Sequence, residues 1–430
     1  MIRTTPLWRS IAIVGVASLA LAACGGDGDG DGDGEAAPGT ESPEAPAATG
    51  DGVLKLGTLL PQTGSLAFLG PPEFAGVDLA VQEINEAGGV LGEEVTVTHT
   101  DSGDTTTDIA SQSVDRLITE EVDAIIGAAS SSVTLTVLDA VVQNETVMFS
   151  PANTSPDLTT YPDDGFYFRT APSDVLQGRV MGDLVISDGC ANVGIMALQD
   201  PYGEGLAENV QTSVTEGGGE ISGGESIIYD PNAANFATEV TEMKSRTPDC
   251  IVLIGFAETS TIIPELVNQG IGPQDVPLYF VDGNLSNYGD DFPSGTLDGN
   301  KGTLPGAEAT SDFQDRMLEV NPDLNDFSYG PESYDATVLI ALAAIAAGDD
   351  SGASIAANLV DVSREGTKCT TFEECAGLLE DGEDIDYDGV SGPVEFSDAG
   401  DPTQATIGIY QYGPDNTYTN LEYREGSLEE

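Results

Sequence analysis

The sequence predicts an α/β protein of two similar lobes, each built on a parallel central sheet. Three observations carry this. From residue 53 onward, short apolar runs of strand length alternate with stretches of helical period and Gly-rich stops, which is how parallel strand–helix units read. The rhythm runs, breaks near residue 170 and starts again. At 430 residues the chain also exceeds what one ordinary core serves, so two bodies of about 150 to 200 residues are expected.

In the first lobe residues 53–60 form a strand, and Phe74, Val77, Val81 and Ile84 mark one face of a helix stopped by Gly88 and Gly89. Strands at 95–100, 124–127 and 147–149 follow, with helices near 106–120 and 131–144 between them. Residues 166–169 and Pro172 interrupt the series. The second lobe opens with a helix near 174–187. Its strands at 192–198, 226–229, 250–256 and 278–281 alternate with helices near 203–216, 235–246 and 259–269. A Gly-rich loop from about 284 then leads to helices near 312–320, 333–347, 352–364 and 371–380, and to strands at 405–412 and 417–424.

Ahead of the body, Arg3 and Arg9 precede or flank an apolar run over 11–23 that ends Leu21-Ala22-Ala23-Cys24. The run falls short of the roughly 18 to 20 residues that span a bilayer, so it reads as a secretory signal. The small residues before Cys24 resemble the bacterial lipoprotein box, in which residues 1–23 are removed and the Cys24 thiol carries lipid. Residues 25–52 contain only Gly, Asp, Glu, Ala, Pro, Ser and Thr, the composition of a flexible acidic tether from 24 to 52. Asp27, Asp29, Asp31 and Gly32 imitate a calcium loop, but Pro38 stands where the twelfth position needs Glu.

Against 74 acids the chain has 13 bases, a formal charge of −61. Such a surface repels phosphate backbones and anionic headgroups, so nucleic acid is excluded as a partner. Eight acids fall in the tether and 66 on residues 53–430, against 11 bases. The folded body itself is therefore acidic, and should be stabilised by the screening that saline surroundings provide. Of five cysteines, one is for lipid and four remain for pairing in an oxidising exterior. Local pairing is expected, Cys190 with Cys250 and Cys369 with Cys375.

Ligands of open parallel sheets sit beyond the C-terminal strand ends where strand order reverses. If each lobe has the order 2-1-3-4, the loops at 61–72, 128–132 and 150–156 face those at 199–205 and 257–260. Ser130, Ser131 and Ser132 stand where a helix begins, so free backbone N–H groups and hydroxyls would meet an anion. Asn153 and Thr154 add donors. Across the cleft Tyr202 presents a ring and hydroxyl, and Glu258 a carboxylate. Donors facing an acid match the polarity of an α-amino acid. Serines at helix starts also serve simply as caps; it is their coincidence with the other loops that points to a ligand. The same strand order would set Cys190 and Cys250 at the N-terminal ends of neighbouring strands.

With His99 the single histidine, a Ser-His-Asp or multi-His zinc centre is excluded, and no G-x-S-x-G or phosphate-binding loop occurs. No cofactor is expected. A secreted acid-pair hydrolase is the enzymatic alternative. Asp384, Asp386, Asp388 and Glu395 have calcium-loop spacing, although Gly392-Pro393 opposes the second helix and a turn is the favoured reading.

Several stretches together resemble the leucine/isoleucine/valine-binding family of type I periplasmic binding proteins: Leu59-Leu60-Pro61-Gln62-Thr63-Gly64, Ala80-Val81-Gln82-Glu83-Ile84-Asn85 with Ala87-Gly88-Gly89, Ser150-Pro151-Ala152-Asn153-Thr154-Ser155-Pro156, Phe168-Arg169-Thr170 and Tyr202-Gly203-Glu204-Gly205. The resemblance implies two Rossmann-like lobes joined by three crossovers near 170–172, 283–284 and 397–401. The first lobe would comprise 53–171 and 285–396, the second 172–284 and 397–430, with the late helices on the first sheet and the last strands in the second. It implies that Ser131, Asn153 and Thr154 hold the α-carboxylate, that Tyr202 lines the site, and that Glu258 or Asp282 takes the ammonium group. Leu69, beside Phe68, stands where an aromatic often stacks. The implied protein is no enzyme. It is an exported substrate-binding lipoprotein, a monomer on the outer face of the cytoplasmic membrane through the Cys24 lipid. It would bind a branched-chain or other small amino acid, or related amide, and deliver it to an ABC permease with its ATPase. A sensory receptor of the same fold is the alternative.

Overall fold

The computed structural model describes residues 50–428, so the expected signal segment, Cys24 and the Asp27 to Pro38 stretch lie outside the described residues. Strands β1 (Lys55–Leu60), β2 (Thr96–Asp101), β3 (Ala124–Gly127), β4 (Val147–Ser150) and β5 (Tyr167–Arg169) form a parallel sheet in the order β2-β1-β3-β4-β5. Helices α1 (Gly70–Glu86), α2 (Ile109–Thr119) and α3 (Ser131–Gln143) connect the first four. Every residue of β3 and β4 is buried, as expected of parallel strands covered on both faces. Gly127 has φ 130°, and a Cβ there would lie 2.2 Å from the Leu59 carbonyl oxygen, so only glycine fits the close approach of β3 to β1.

The second sheet begins after α4 (Asp174–Ser187). It contains β6 (Asn192–Leu198), β7 (Glu220–Ile221), β8 (Ile227–Tyr229), β9 (Cys250–Ile254) and β10 (Leu278–Phe280), with α5 (Pro201–Glu216), α6 (Ala237–Arg246) and α7 (Thr259–Gln269) between them. Both β7 and β8 pair with β6, giving the same 2-1-3-4 order as in the first lobe. A strand that the sequence reading lacks, β11 (Lys301–Pro305), pairs parallel to β10.

The chain then returns to the first lobe as α8 (Ser311–Val320), α9 (Gly330–Ala347), α10 (Gly352–Leu359), β12 (Thr367–Cys369), α11 (Phe372–Glu380), β13 (Ile385–Gly389) and β14 (Gly392–Pro393). The apolar residues of α9 share one core with β1, β3, β4 and α1. Among the described residues no single helix is long and apolar enough to cross a membrane. Finally β15 (Gln404–Tyr412) adds antiparallel to β11, and β16 (Tyr418–Ser427) to β15.

The pairing of β11 changes two expectations. Residues 285–305 belong with the second sheet, because β11 lies between β10 and β15 in it. The second crossover therefore follows Pro305, and residues 283–284 connect two strands of one sheet. The first and third crossovers, after Arg169 and before Gln404, meet at a fully buried ion pair. Arg169 donates to Asp401 through Nε at 2.6 Å and Nη2 at 3.0 Å, and to the Asn153 and Ser155 carbonyls through Nη1.

Cys190 is joined to Cys250 and Cys369 to Cys375. The turn expected over the Asp384 stretch is corrected to a strand. Residues 385–389 form a strand whose Ile385 and Tyr387 are fully buried. The Tyr387 hydroxyl donates to Asp335 at 2.7 Å, while Asp386 and Asp388 flank Lys368 at 3.2 and 2.9 Å. Asp384 only accepts from the amide of Ile385, so the carboxylates do not converge. Among the described residues no group of acids, histidines or cysteines could hold a metal ion.

Candidate functional site

The C-terminal ends of both sheets face two cavities, one small and one of about 220 Å³ that is lined by Ser130, Ser132, Asp200, Phe256 and Glu258. Around the small one stand, from the first lobe, Leu66 and Leu69 after β1, Ala129, Ser130 and Ser131 after β3, and Ala152 and Thr154 after β4. From the second come Tyr202, Phe256, Asp282 and Gly283, and Tyr329 enters just ahead of α9. This cavity is about 10 Å³, the room one water needs. A ligand of leucine size seated in this smaller cavity therefore requires the lobes to separate.

Local sequence explains the seating of the polar groups. Ser130 caps α3, its Oγ accepting from the Val133 amide. This leaves Ser131 in the first turn, where its Oγ accepts from the amides of Thr154 at 3.3 Å and Ser155 at 3.2 Å. Its own O–H remains to donate into the small cavity. On the other wall Asp200 caps α5, accepting from the Gly203 amide at 2.7 Å, with Pro201 fixing the first turn. That cap seats Tyr202, whose ring stacks on Phe256 with centroids 5.4 Å apart. The other Asp200 oxygen accepts from Ser132 of the first lobe at 2.7 Å, a direct bond across the cleft.

Asp282 is the polar centre of the second wall. Its Oδ1 accepts from Tyr202 Oη at 2.8 Å and Gln177 Nε2 at 3.0 Å, and its Oδ2 from Tyr329 Oη at 3.1 Å. All three donors are neutral. Burial raises its pKa against the lowering by these hydrogen bonds. Asp174, fully buried at the start of α4, has no partner for either oxygen, and burial followed by the charge of Asp282 holds its pKa well above the usual carboxylate range.

The structure thus brings Leu69, Ser130, Ser131, Thr154, Tyr202 and Asp282 together. Asn153 lines neither cavity, while Glu258 lines the larger one with Ser130, Ser132 and Asp200. Asn153 is spent on the loop itself, donating to the Ala128 and Ala129 carbonyls and accepting from Tyr167. Glu258 accepts from Tyr229 Oη and the Phe256 amide, at 2.9 and 2.8 Å, so it braces the loop that carries Phe256. Sequence reasoning missed Phe256, Gln177 and Tyr329. The Gly330-Pro331 pair, a helix-start signal, was the available pointer to Tyr329. His99 lies apart, bridging Thr58 and Asp78.

Two α/β lobes that meet through the loops at their switch points, around hydroxyl donors on one side and an acid on the other, define a binding protein of the two-lobed class. The periplasmic binding protein family matches residues 53–415, and the chain belongs to it. Over 224 residues it is 28% identical to Leu/Ile/Val-binding protein homolog 3 of Brucella melitensis, covering 51% of this chain and 59% of that relative. It is 27% identical over 363 residues to the chemotactic signal transduction system substrate-binding protein BasB of Halobacterium salinarum, covering 81% and 84%. The fold matches the branched-chain amino acid transporter substrate binding protein LivJ of Streptococcus pneumoniae, in complex with isoleucine, at a TM-score of 0.70 and 21% identity, covering 87% of this chain and 99% of that one. These are binding proteins, so the hydrolase alternative falls. The family implies an extracytoplasmic location.

Proposed function

We propose that the protein is an exported, lipid-anchored receptor that captures a small amino acid between its lobes and presents it to the permease of an ABC importer. The observation that supports this reading best is Asp282: a buried carboxylate served by three neutral donors and no cation, opposite the free O–H of Ser131. An α-ammonium group at Asp282 supplies the missing positive charge. The α-carboxylate lies against Ser131 and Thr154 at the start of α3, where hydroxyls and the helix N-terminus favour an anion. Leu66, Leu69 and Phe256 enclose an apolar side chain. A ligand held by both walls stabilises the closed arrangement by its differential contacts, and the permease reads that arrangement.

The test is a thermal-shift and calorimetric panel of small L-amino acids and their deaminated carboxylic acids. Aliphatic amino acids should raise the melting temperature and the deaminated acids should not. Equal binding of the acids would overturn the role given to Asp282. The likeness to BasB favours a second reading, a receptor that passes its signal to a transducer; co-purification with a permease or with a transducer separates the two. Replacing Cys24→Ser should release the protein from the membrane fraction if the lipid anchor holds.

A further inference from the structure

Tyr329 also lines a third cavity, of about 280 Å³, whose walls come from both lobes and from the second crossover. Pro305 and Gly306 of the crossover, Glu332 of α9, and Tyr410, Tyr418 and Tyr423 of the last hairpin surround it. The rings of Tyr418 and Tyr423 each stand perpendicular to Tyr410, at 84° and 85°, with centroids 5.3 and 6.5 Å away. The Tyr418 hydroxyl is held by Asp326 at 2.7 Å, so its ring is fixed. The tyrosines therefore form a corner of aromatic rings.

Glu332 supplies the acid. It is 3% exposed, and the hydrogen bond its carboxylate accepts comes from its own backbone amide. Its Oε1 reaches over Gly306, where a Cβ would lie 2.4 Å from it. Behind it Glu73, fully buried, has no partner for either oxygen, so no neighbouring base answers the acid. An ionised carboxylate buried without a countercharge is unfavourable by several kcal/mol. A cation entering this cavity stabilises the ionised carboxylate against the protonated form that burial favours, and ring faces attract the alkyl surface of an organic ammonium ion in particular.

We propose that this cavity is a second ligand site, taking a small alkylammonium cation with its charge at Glu332 and its alkyl groups against Tyr410, Tyr418 and Tyr423. The occupant touches both lobes and the crossover between them. Because Tyr329 borders the cavity and donates to Asp282, occupancy and cleft binding are thermodynamically linked in both directions.

Calorimetric titration of the purified protein with choline, and with its uncharged carbon isostere, tests this. Choline should bind and the isostere should be about tenfold weaker or worse. Glu332→Gln should weaken choline about tenfold or more, and Tyr423→Ala, at a half-exposed strand position, several-fold. Asp282→Asn should shift choline binding through Tyr329 by far less than Glu332→Gln does. Absence of choline binding, equal binding of the isostere, or binding that survives Glu332→Gln and is lost in Asp282→Asn would overturn the proposal.

Discussion

Asp401 at the hinge and Asp282 in the cleft are both buried carboxylates that accept from several side chains. Asp401 receives Arg169 through two nitrogens, at 2.6 and 3.0 Å, and Thr159 Oγ1 at 2.6 Å. Asp282 receives two tyrosine hydroxyls and an amide. The number of donors is alike; the charge is not. At the hinge the chain supplies its own cation, and the acid is complete. In the cleft it supplies geometry without charge, which fits a carboxylate whose cation comes from a ligand. Hydrogen-bond count alone would have ranked the two sites together.

Variants at each acid should separate them. Asp401→Ala leaves Arg169 buried and unpaired, and should lower unfolding stability by about 3–5 kcal/mol in a denaturant titration. Asp282→Asn should do the reverse. Amino-acid affinity should fall about a hundredfold, read by calorimetry, while the unliganded protein keeps its stability or gains some. An Asp282→Asn protein that unfolds early yet binds normally would make Asp282 another Asp401.

Glu332 extends the comparison to an acid that accepts from its own backbone amide. Burial first, then the charge of Asp335, raises its pKa from 4.5 to about 8. The folded chain thus holds a proton that the unfolded chain has released between these values, so ionising Glu332 removes stability as pH rises through that window. Relative to wild type, Glu332→Gln should be more stable at pH 9 by a few kcal/mol, at ~1.4 kcal/mol for each pH unit the window spans, and equal below pH 4.5. Parallel melting curves at both pH values decide it. A smaller effect is expected from the donor wall: Ser131→Ala should cost about 1–1.5 kcal/mol of binding, near tenfold, in the same calorimetric assay. Salt should act least on these buried groups. Melting temperature should rise from dilute buffer to molar salt as the surface acids are screened, while the Asp282→Asn to wild-type affinity ratio stays fixed.

Most regular elements were legible because parallel strands buried on both faces, such as 124–127 and 192–198, are nearly pure apolar runs. The strand Lys301–Pro305 escaped because its buried positions are Gly302, Thr303 and Pro305 as well as Leu304, which carry little apolar signal. The strand at 385–389 was masked by its acids: alternation places Ile385 and Tyr387 inward and the aspartates outward, and the same spacing imitates a metal loop. In the site, helix-start serines and the Asp200-Pro201-Tyr202 turn are local signals. The roles of Asn153 and Glu258 were not, because both were decided by carbonyls and hydroxyls that approach only when the loops fold back. Tyr329 depends on the packing of one lobe against the other, which no local pattern encodes.

One contact at the start of the described chain has a mechanical consequence. The amides of Gly50 and Gly52 donate to Asp349 and Asp350 at 2.8 and 2.9 Å, and that of Val53 to Asp350 at 3.1 Å. These aspartates follow α9, so the polypeptide is clamped to the first lobe before β1 begins. With a membrane tether upstream, as proposed, the first lobe becomes the stator and the second the rotor. Recoil from the membrane would then reach the second lobe through the three crossovers and the Ser132–Asp200 bond, and a permease would meet a receptor whose swinging half is the one bearing Asp282.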